Sequence, residues 1–139
     1  MRTQSDPRLG SLRKILAFSA VAETGTGLVL MIAPALVVKW LLGAEVSGTG
    51  ILLGRCFGIT LLALGLACWP ERNRAEAGSP AARGMLLYNA LIALYLAYLG
   101  TAGHFGGVLL WPAVALHAVV ASLLVWAWRR ERRSRATRT

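Results

Sequence analysis

The sequence predicts an all-α, polytopic membrane protein: a bundle of four transmembrane helices with a short interfacial helix after the first. Three observations predict this fold. Hydrophobic residues make up 56% of the 139 residues, which places the chain in the membrane class. Four apolar segments are each about 20 residues long, enough to cross a hydrocarbon layer about 30 Å thick. Basic residues gather at the ends of these segments, as they do in membrane proteins.

We expect the spans at residues 15–33, 50–69, 84–102 and 108–128, which leaves no room for a second domain. The first apolar run continues well past Ala22, so we interpret it as a span and not as a cleaved signal peptide. Pro34 interrupts that run and suits the first position of a helix, which predicts a short helix at the membrane surface over residues 34–42. Residues 1–14 form a basic N-terminal segment. Residues 129–139 form an arginine-rich tail that we expect to be partly disordered.

The distribution of charge predicts the orientation. The net charge is +9, and the basic residues number four before the first span, three between the second and third, and six after the fourth. Lys39 alone lies on the other side, and Arg55 lies within the second span. The positive-inside rule therefore predicts that both termini lie in the cytoplasm. Arginine outnumbers lysine 13 to 2 beside much Ala and Gly, which is typical of a GC-rich bacterial genome, so we expect the bacterial inner membrane. We interpret the basic charge as a topology signal facing anionic lipid, and we expect no nucleic-acid partner.

Glycines in the second span predict close helix contacts. Gly50, Gly54 and Gly58 recur every four residues, and Gly65 follows seven residues after Gly58. In lipid, helices associate where small residues let their backbones approach. The pattern leaves open whether the partner helix belongs to this chain, to a second copy in a homo-oligomer, or to a larger membrane complex.

Each span carries one strongly polar residue: Glu23, Arg55, Asn89 and His117. Helical rise places them at depths of roughly 12, 21, 8 and 16 Å from the basic side, so all four can face one pocket. The functional hypothesis is a proton-titrating or ligand-binding site centred on Glu23, with His117 as relay or hydrogen-bond partner and Arg55 as counter-charge or anion contact. The structural alternative is a Glu23–Arg55 salt bridge with Asn89 and His117 hydrogen-bonded between helices. Arg55 can also extend toward the outer boundary.

The remaining reactive residue types give no catalytic, metal or nucleotide signature. Cys56 and Cys68 lie twelve residues apart on one helix, roughly 18 Å by helical rise, which is too far for a disulfide within the chain. The two histidines, His104 and His117, lie at opposite depths, so neither a metal nor a haem site is expected. We expect no cofactor.

Two family resemblances accompany these patterns. The residues behind the first are Gly27 and Pro34 in the first segment, Gly54, Arg55, Gly58, Leu64, Gly65 and Leu66 in the second span, and Tyr88 in the third. Their placement resembles the DoxX-like group of small four-span bacterial membrane proteins. The resemblance implies an inner-membrane four-helix bundle and little chemistry, because functions in that group are varied and mostly unassigned.

The second resemblance concerns the run Ala22, Glu23, Thr24, Gly25 and Thr26. Its placement is similar to the functional glutamate in the first span of small multidrug-resistance transporters. The chain departs from that family in its long inner loop, its arginine inside the second span and its strong charge bias.

Three functional hypotheses follow. The first is a non-enzymatic helix-packing subunit or homo-oligomer. The second is a small proton-coupled transporter or carrier that uses Glu23 and takes a small-molecule ligand. The third, a redox or lipid-modifying membrane enzyme, has only tyrosines such as Tyr95 and the histidine His117 in its favour, so an enzyme is less expected than a non-enzyme.

Overall fold

The structure is a computed structural model that describes residues 7–70 and 79–136. Its five helices are α1 (Pro7–Ile32), α2 (Pro34–Leu42), α3 (Thr49–Ala67), α4 (Pro80–Thr101) and α5 (Leu110–Ala136). Four of them, all except α2, are long and apolar enough to cross a membrane. The predicted all-α bundle of four membrane helices is confirmed, and the short helix after the first span has the predicted bounds.

Proline, glycine and serine set several helix ends. α1 stops at Ile32 and α2 starts at Pro34, since proline disfavours a helical conformation in the residue before it. α2 ends at Gly43, whose φ of 70° lies in the left-handed region that glycine enters without a steric penalty. α4 begins after Ser79, whose side chain accepts a hydrogen bond of 3.2 Å from the Ala82 N–H.

α1 is the central helix of the bundle. Its most extensive contact is with α3, while α4 and α5 form the second large helix pair, and α1 also touches this pair and α2. α2 contacts α1, α3 and α5. Because successive spans reverse direction, α1 begins where α5 ends, and we call this the basic end after its basic residues. Among the described side chains these are Arg13, Lys14, Arg83, Arg129, Arg130, Arg132 and Arg133.

Glycines bring α1 and α3 into backbone contact. A Cβ atom added to Gly58 would lie 2.7 Å from the Gly27 carbonyl oxygen and 2.9 Å from the Met31 nitrogen, and one added to Gly27 would lie 2.7 Å from the Gly58 carbonyl oxygen. Real Cβ atoms cannot approach backbone so closely, so both positions require glycine. The predicted ridge on the second span therefore has its partner helix within the same chain.

The other glycines of the ridge differ in their contacts. A Cβ on Gly65 would meet the Ala20 carbonyl oxygen at 2.7 Å, which continues the α1–α3 contact. A Cβ on Gly54 would lie 2.8 Å from the Pro34 Cβ, where α1 gives way to α2. A Cβ on Gly50 would meet only the Val46 side chain, in the loop before α3, and no atom of another helix within 4 Å.

An apolar cluster fills the bundle near its basic end, and we call it the apolar plug. All four membrane helices, or their immediate ends, contribute to it. Its buried members are Leu12, Leu16, Ala20, Cys68, Ala82, Met85, Val120 and Leu124.

α5 continues beyond its apolar part through Ala136, which differs from the partly disordered tail expected over residues 129–139; residues 137–139 lie outside the described part. Arginine is a good helix former, and cations are favourable at a helix C-terminus. The Arg130 and Arg132 guanidinium groups also lie 4.9 and 4.0 Å from the ring centroids of Trp126 and Trp128.

We predict that Gly58→Ala lowers the stability of the bundle by about 1–3 kcal/mol, because the added methyl group forces the α1 and α3 backbones apart. Unfolding of the purified protein by sodium dodecyl sulfate, followed by circular dichroism, measures the change. Gly25→Ala is the matched control on α1, where a Cβ meets nothing within 4 Å. Equal behaviour of the two variants would contradict the contact.

Candidate functional site

Asn89 joins three helices in the interior of the bundle. Its amide Nδ2 donates to the Ser19 hydroxyl on α1 at 3.2 Å and to the Met85 carbonyl on α4 at 2.8 Å. Its Oδ1 lies 2.8 Å from His117 Nδ1 on α5. Asn89 is only 1% exposed, so each of these bonds satisfies a group that lipid cannot satisfy. The amide therefore fixes how α1, α4 and α5 sit relative to one another.

The network also assigns the tautomer of His117. Asn89 uses both Nδ2 hydrogens on Ser19 and Met85, which leaves Oδ1, a pure acceptor, to face the imidazole. The His117 Nδ1 atom must then carry the hydrogen. In the neutral ring, Nε2 is consequently an acceptor.

Glu23 completes the group. It is 3% exposed, and its Oε1 lies 4.0 Å from His117 Nδ1, longer than a hydrogen bond. The Tyr88 hydroxyl lies near the Glu23 carboxylate. The Tyr88 ring also packs edge-on against the His117 ring, with centroids 5.8 Å apart. We call the five residues Ser19, Glu23, Tyr88, Asn89 and His117 the polar cluster.

The polar cluster lies at one end of an apolar cavity of about 390 Å³. Ser19, Glu23, Tyr88 and His117 are among the lining residues, and side chains of all five helices form the rest of the wall. The apolar plug lies between the cluster and the basic end. The cavity thus extends from the polar cluster toward the opposite end of the bundle, where Val37, Val38 and Leu41 of α2 line it.

α2 is held over that opposite end by the α4–α5 loop. The Leu109 N–H donates to the Trp40 carbonyl at 2.9 Å, and the Gly106 N–H donates to the Leu42 carbonyl at 3.1 Å. Gly107 packs directly on the Leu41 backbone, where a Cβ would collide. On the outer side of the bundle, Phe18, Phe57 and Tyr95 line the cavity and are 55, 45 and 58% exposed. These three side chains therefore belong both to the cavity wall and to the outer surface of the bundle.

Arg55 lies outside the polar cluster. Its neighbour Gly54 faces Pro34, so Arg55 stands near the level at which α1 ends, about 9 Å by helical rise from the start of α3 at Thr49. Its side chain is exposed and does not line the cavity. The Glu23–Arg55 salt bridge considered from the sequence does not form, because the glycine face of α3 is turned to α1 and Arg55 is turned away. At this level its long side chain can reach the lipid headgroups.

Of the four predicted site residues, the structure thus brings Glu23, Asn89 and His117 together. Two members of the polar cluster, Ser19 and Tyr88, were not predicted. Ser19 lies four residues before Glu23 and hence on the same face of α1, which is a signal that the sequence does contain. Among the described residues, no three His, Cys, Asp or Glu side chains come close enough to hold a metal ion.

We predict that neutral His117 carries its hydrogen on Nδ1, whereas a solvated histidine prefers Nε2. Nitrogen-15 NMR of histidine-labelled protein above pH ~8 distinguishes the two forms. Asn89→Ala removes the acceptor and is expected to shift His117 toward the Nε2–H form. The exposed His104 serves as the internal control. An Nε2–H form of His117 in the wild type would contradict the network.

The chain matches no protein-family model, no curated protein and no solved structure. The resemblance to DoxX-like proteins therefore stays a prediction from the glycine and aromatic pattern. The function argued next rests on the cavity and the polar cluster.

Proposed function

We propose that this protein is a small membrane carrier that binds an apolar small molecule in the cavity and couples its binding to a proton on Glu23. The observation that carries the proposal is the position of the polar cluster at the end of an apolar cavity whose wall includes side chains of the outer surface of the bundle. Ligand sites are concave, mostly apolar and marked by a few convergent polar groups. A purely structural polar contact needs no such space beside it.

The proposed proton site is Glu23. The titratable residues that line the cavity are Glu23, Tyr88, Tyr95 and His117, while the described lining residues of α2 and α3 are all apolar. An ionisable residue inside a membrane bundle is costly to keep and is commonly functional. Protonation of the carboxylate removes its charge and occupies one of its acceptor positions, which changes what the cavity can bind.

The orientation proposed from the charge bias gives the carrier a direction. With the basic end in the cytoplasm, the apolar plug closes the cavity on the cytoplasmic side, and the cavity extends toward the outer half of the inner membrane. Transport then requires a second state in which the helices separate at the plug.

The test uses the fluorescent amine N-phenyl-naphthylamine, an apolar probe, with purified protein in lipid nanodiscs. We expect saturable binding above the background of empty nanodiscs, and we expect Ala113→Leu to abolish it by filling the cavity. Ala115→Leu is the matched control, because Ala115 is on the same helix but does not line the cavity. Saturable binding that survives Ala113→Leu unchanged would contradict binding in this cavity.

Proton coupling has a separate readout. We expect the affinity for the probe to fall severalfold as the pH is lowered far enough to protonate Glu23, because a protonated Glu23 accepts fewer hydrogen bonds. Glu23→Gln, which preserves shape and cannot ionise, is expected to remove this dependence while leaving the helical circular dichroism spectrum unchanged. A pH response that persists in Glu23→Gln would exclude Glu23 as the proton site.

One observation supports the second candidate, the hypothesis of a helix-packing subunit or homo-oligomer. The glycine ridge that motivated it packs within the chain, but the outward face of α3 carries a second series of small side chains. Cys56, Thr60, Ala63 and Ala67 recur at helical spacing, and all are exposed. Small side chains on a lipid-facing surface allow a second copy to approach closely.

Oxidative cross-linking in native membranes tests this second candidate. If two copies meet through α3, the exposed Cys56 is expected to form a covalent dimer, whereas Cys68 is buried and cannot contribute. The matched control moves the thiol to another lipid-facing helix in the variant Cys56→Ser, Leu94→Cys, since Leu94 is 70% exposed. A monomer from the wild type, or equal dimer yields from both proteins, would exclude a specific α3 interface.

A further inference from the structure

The amide and imidazole hydrogens of the polar cluster are used within the cluster. Both Asn89 amide hydrogens go to Ser19 and Met85, and the His117 Nδ1 hydrogen goes to Asn89. Ser19 accepts from Asn89 and is 1% exposed, so its hydroxyl has little access to the cavity. None of these N–H groups is therefore left to donate to a molecule in the cavity.

Hydrogen-bond acceptors of the polar cluster, by contrast, remain available to a ligand. Within the described part of the chain, every buried side-chain nitrogen and oxygen atom has a hydrogen-bond partner. His117 Nε2 has none there, so this atom is not fully buried, in agreement with a His117 side chain that is 15% exposed and belongs to the cavity wall. Glu23 has about four acceptor positions, and Tyr88 occupies one at most. The end of the cavity is therefore a surface of acceptors.

Charge points the same way. Among the described residues that line the cavity, none is Lys or Arg, and Glu23 is the one acidic side chain. An anionic headgroup would find no cationic side chain in the cavity wall and would lie beside the Glu23 carboxylate. Burying an unpaired anion next to a carboxylate costs far more free energy in an apolar interior than in water.

The geometry points to the substrate class of the proposed carrier: an apolar molecule with a hydrogen-bond-donating head, a hydroxyl or an amine, and no anionic group. This inference rests on the proposed function, since it concerns the same cavity. The donor head would lie against Glu23 and His117, and the apolar body would extend toward α2. Hydroxyl and amine heads share this donor chemistry, and the experiment below separates them.

The experiment is competition against N-phenyl-naphthylamine in nanodiscs with ten-carbon compounds that differ only in their heads. Decanol and decylamine donate hydrogen bonds. Decyl methyl ether is the neutral control without a donor, decyltrimethylammonium is the cationic control without a donor, and decanoate is the anionic control. We expect each donor compound to displace the probe at a concentration at least about tenfold below that of its own control, because a hydrogen bond to a charged or buried acceptor is worth about that factor.

The outcomes are separable from those of the proposed function. If the probe shows no saturable binding, the carrier proposal itself fails. If the probe binds and decanoate, or either control without a donor, competes as well as the donors, the substrate class is wrong while the cavity stands. Decanol competing without decylamine assigns a neutral hydroxyl head, and the reverse assigns an amine.

Two variants keep the assignment tied to the polar cluster. His117→Phe removes the Nε2 acceptor and is expected to bring decanol to within about twofold of decyl methyl ether, less than one hydrogen bond is worth. Tyr95 lines the cavity but is not part of the polar cluster. Tyr95→Phe is therefore expected to preserve the tenfold advantage of decanol over decyl methyl ether. The same loss of advantage in both variants would overturn the placement of the head. If His117→Phe does not fold, the wild-type competition series alone decides the inference.

Discussion

The structure depends on one requirement: in lipid, polar groups inside the bundle must be satisfied by the bundle itself. Asn89 meets it by bonding to α1, to its own helix and to α5 with one amide. That arrangement sets the His117 tautomer. The Asn89 amide and the His117 Nδ1 hydrogens are used within the polar cluster, while Glu23 and His117, which keep acceptor positions, line the cavity. The chemical character of the candidate site follows from this asymmetry.

The cavity itself results from unequal packing around α1. On the α3 side, Gly27, Gly58 and Gly65 allow the backbones to touch. On the other side, α1 meets the α4–α5 pair through larger side chains, which fill the space completely only at the apolar plug. Further from the basic end α1 and α3 stay in contact, while the cavity lies between the helices, and α2 with the α4–α5 loop covers its end. A four-helix bundle of this size can thus be tight at one end and hollow in its middle.

Sequence reasoning found three of the five residues of the polar cluster because a strongly polar side chain in an apolar span is rare and visible. It missed Ser19 and Tyr88 because both residue types are common in membrane helices, and only their partners make them part of the cluster. Sequence reasoning also included Arg55, because residue number gives the depth of a side chain along a helix but not the direction in which it points. The direction in which that side chain points is set by which face of α3 packs on α1.

The sequence by itself determined the four spans, the break at Pro34 and the uneven distribution of basic charge, because span length, proline geometry and charge counts are local properties of the chain. Only the tertiary structure decided that the glycine ridge packs within the chain and that Arg55 lies outside the polar cluster. It also decided that α5 continues as a helix to Ala136, through residues expected to form a partly disordered tail. It also decided that a cavity lies beside Glu23. These features depend on helix rotation and on contacts between distant segments, which no single segment encodes.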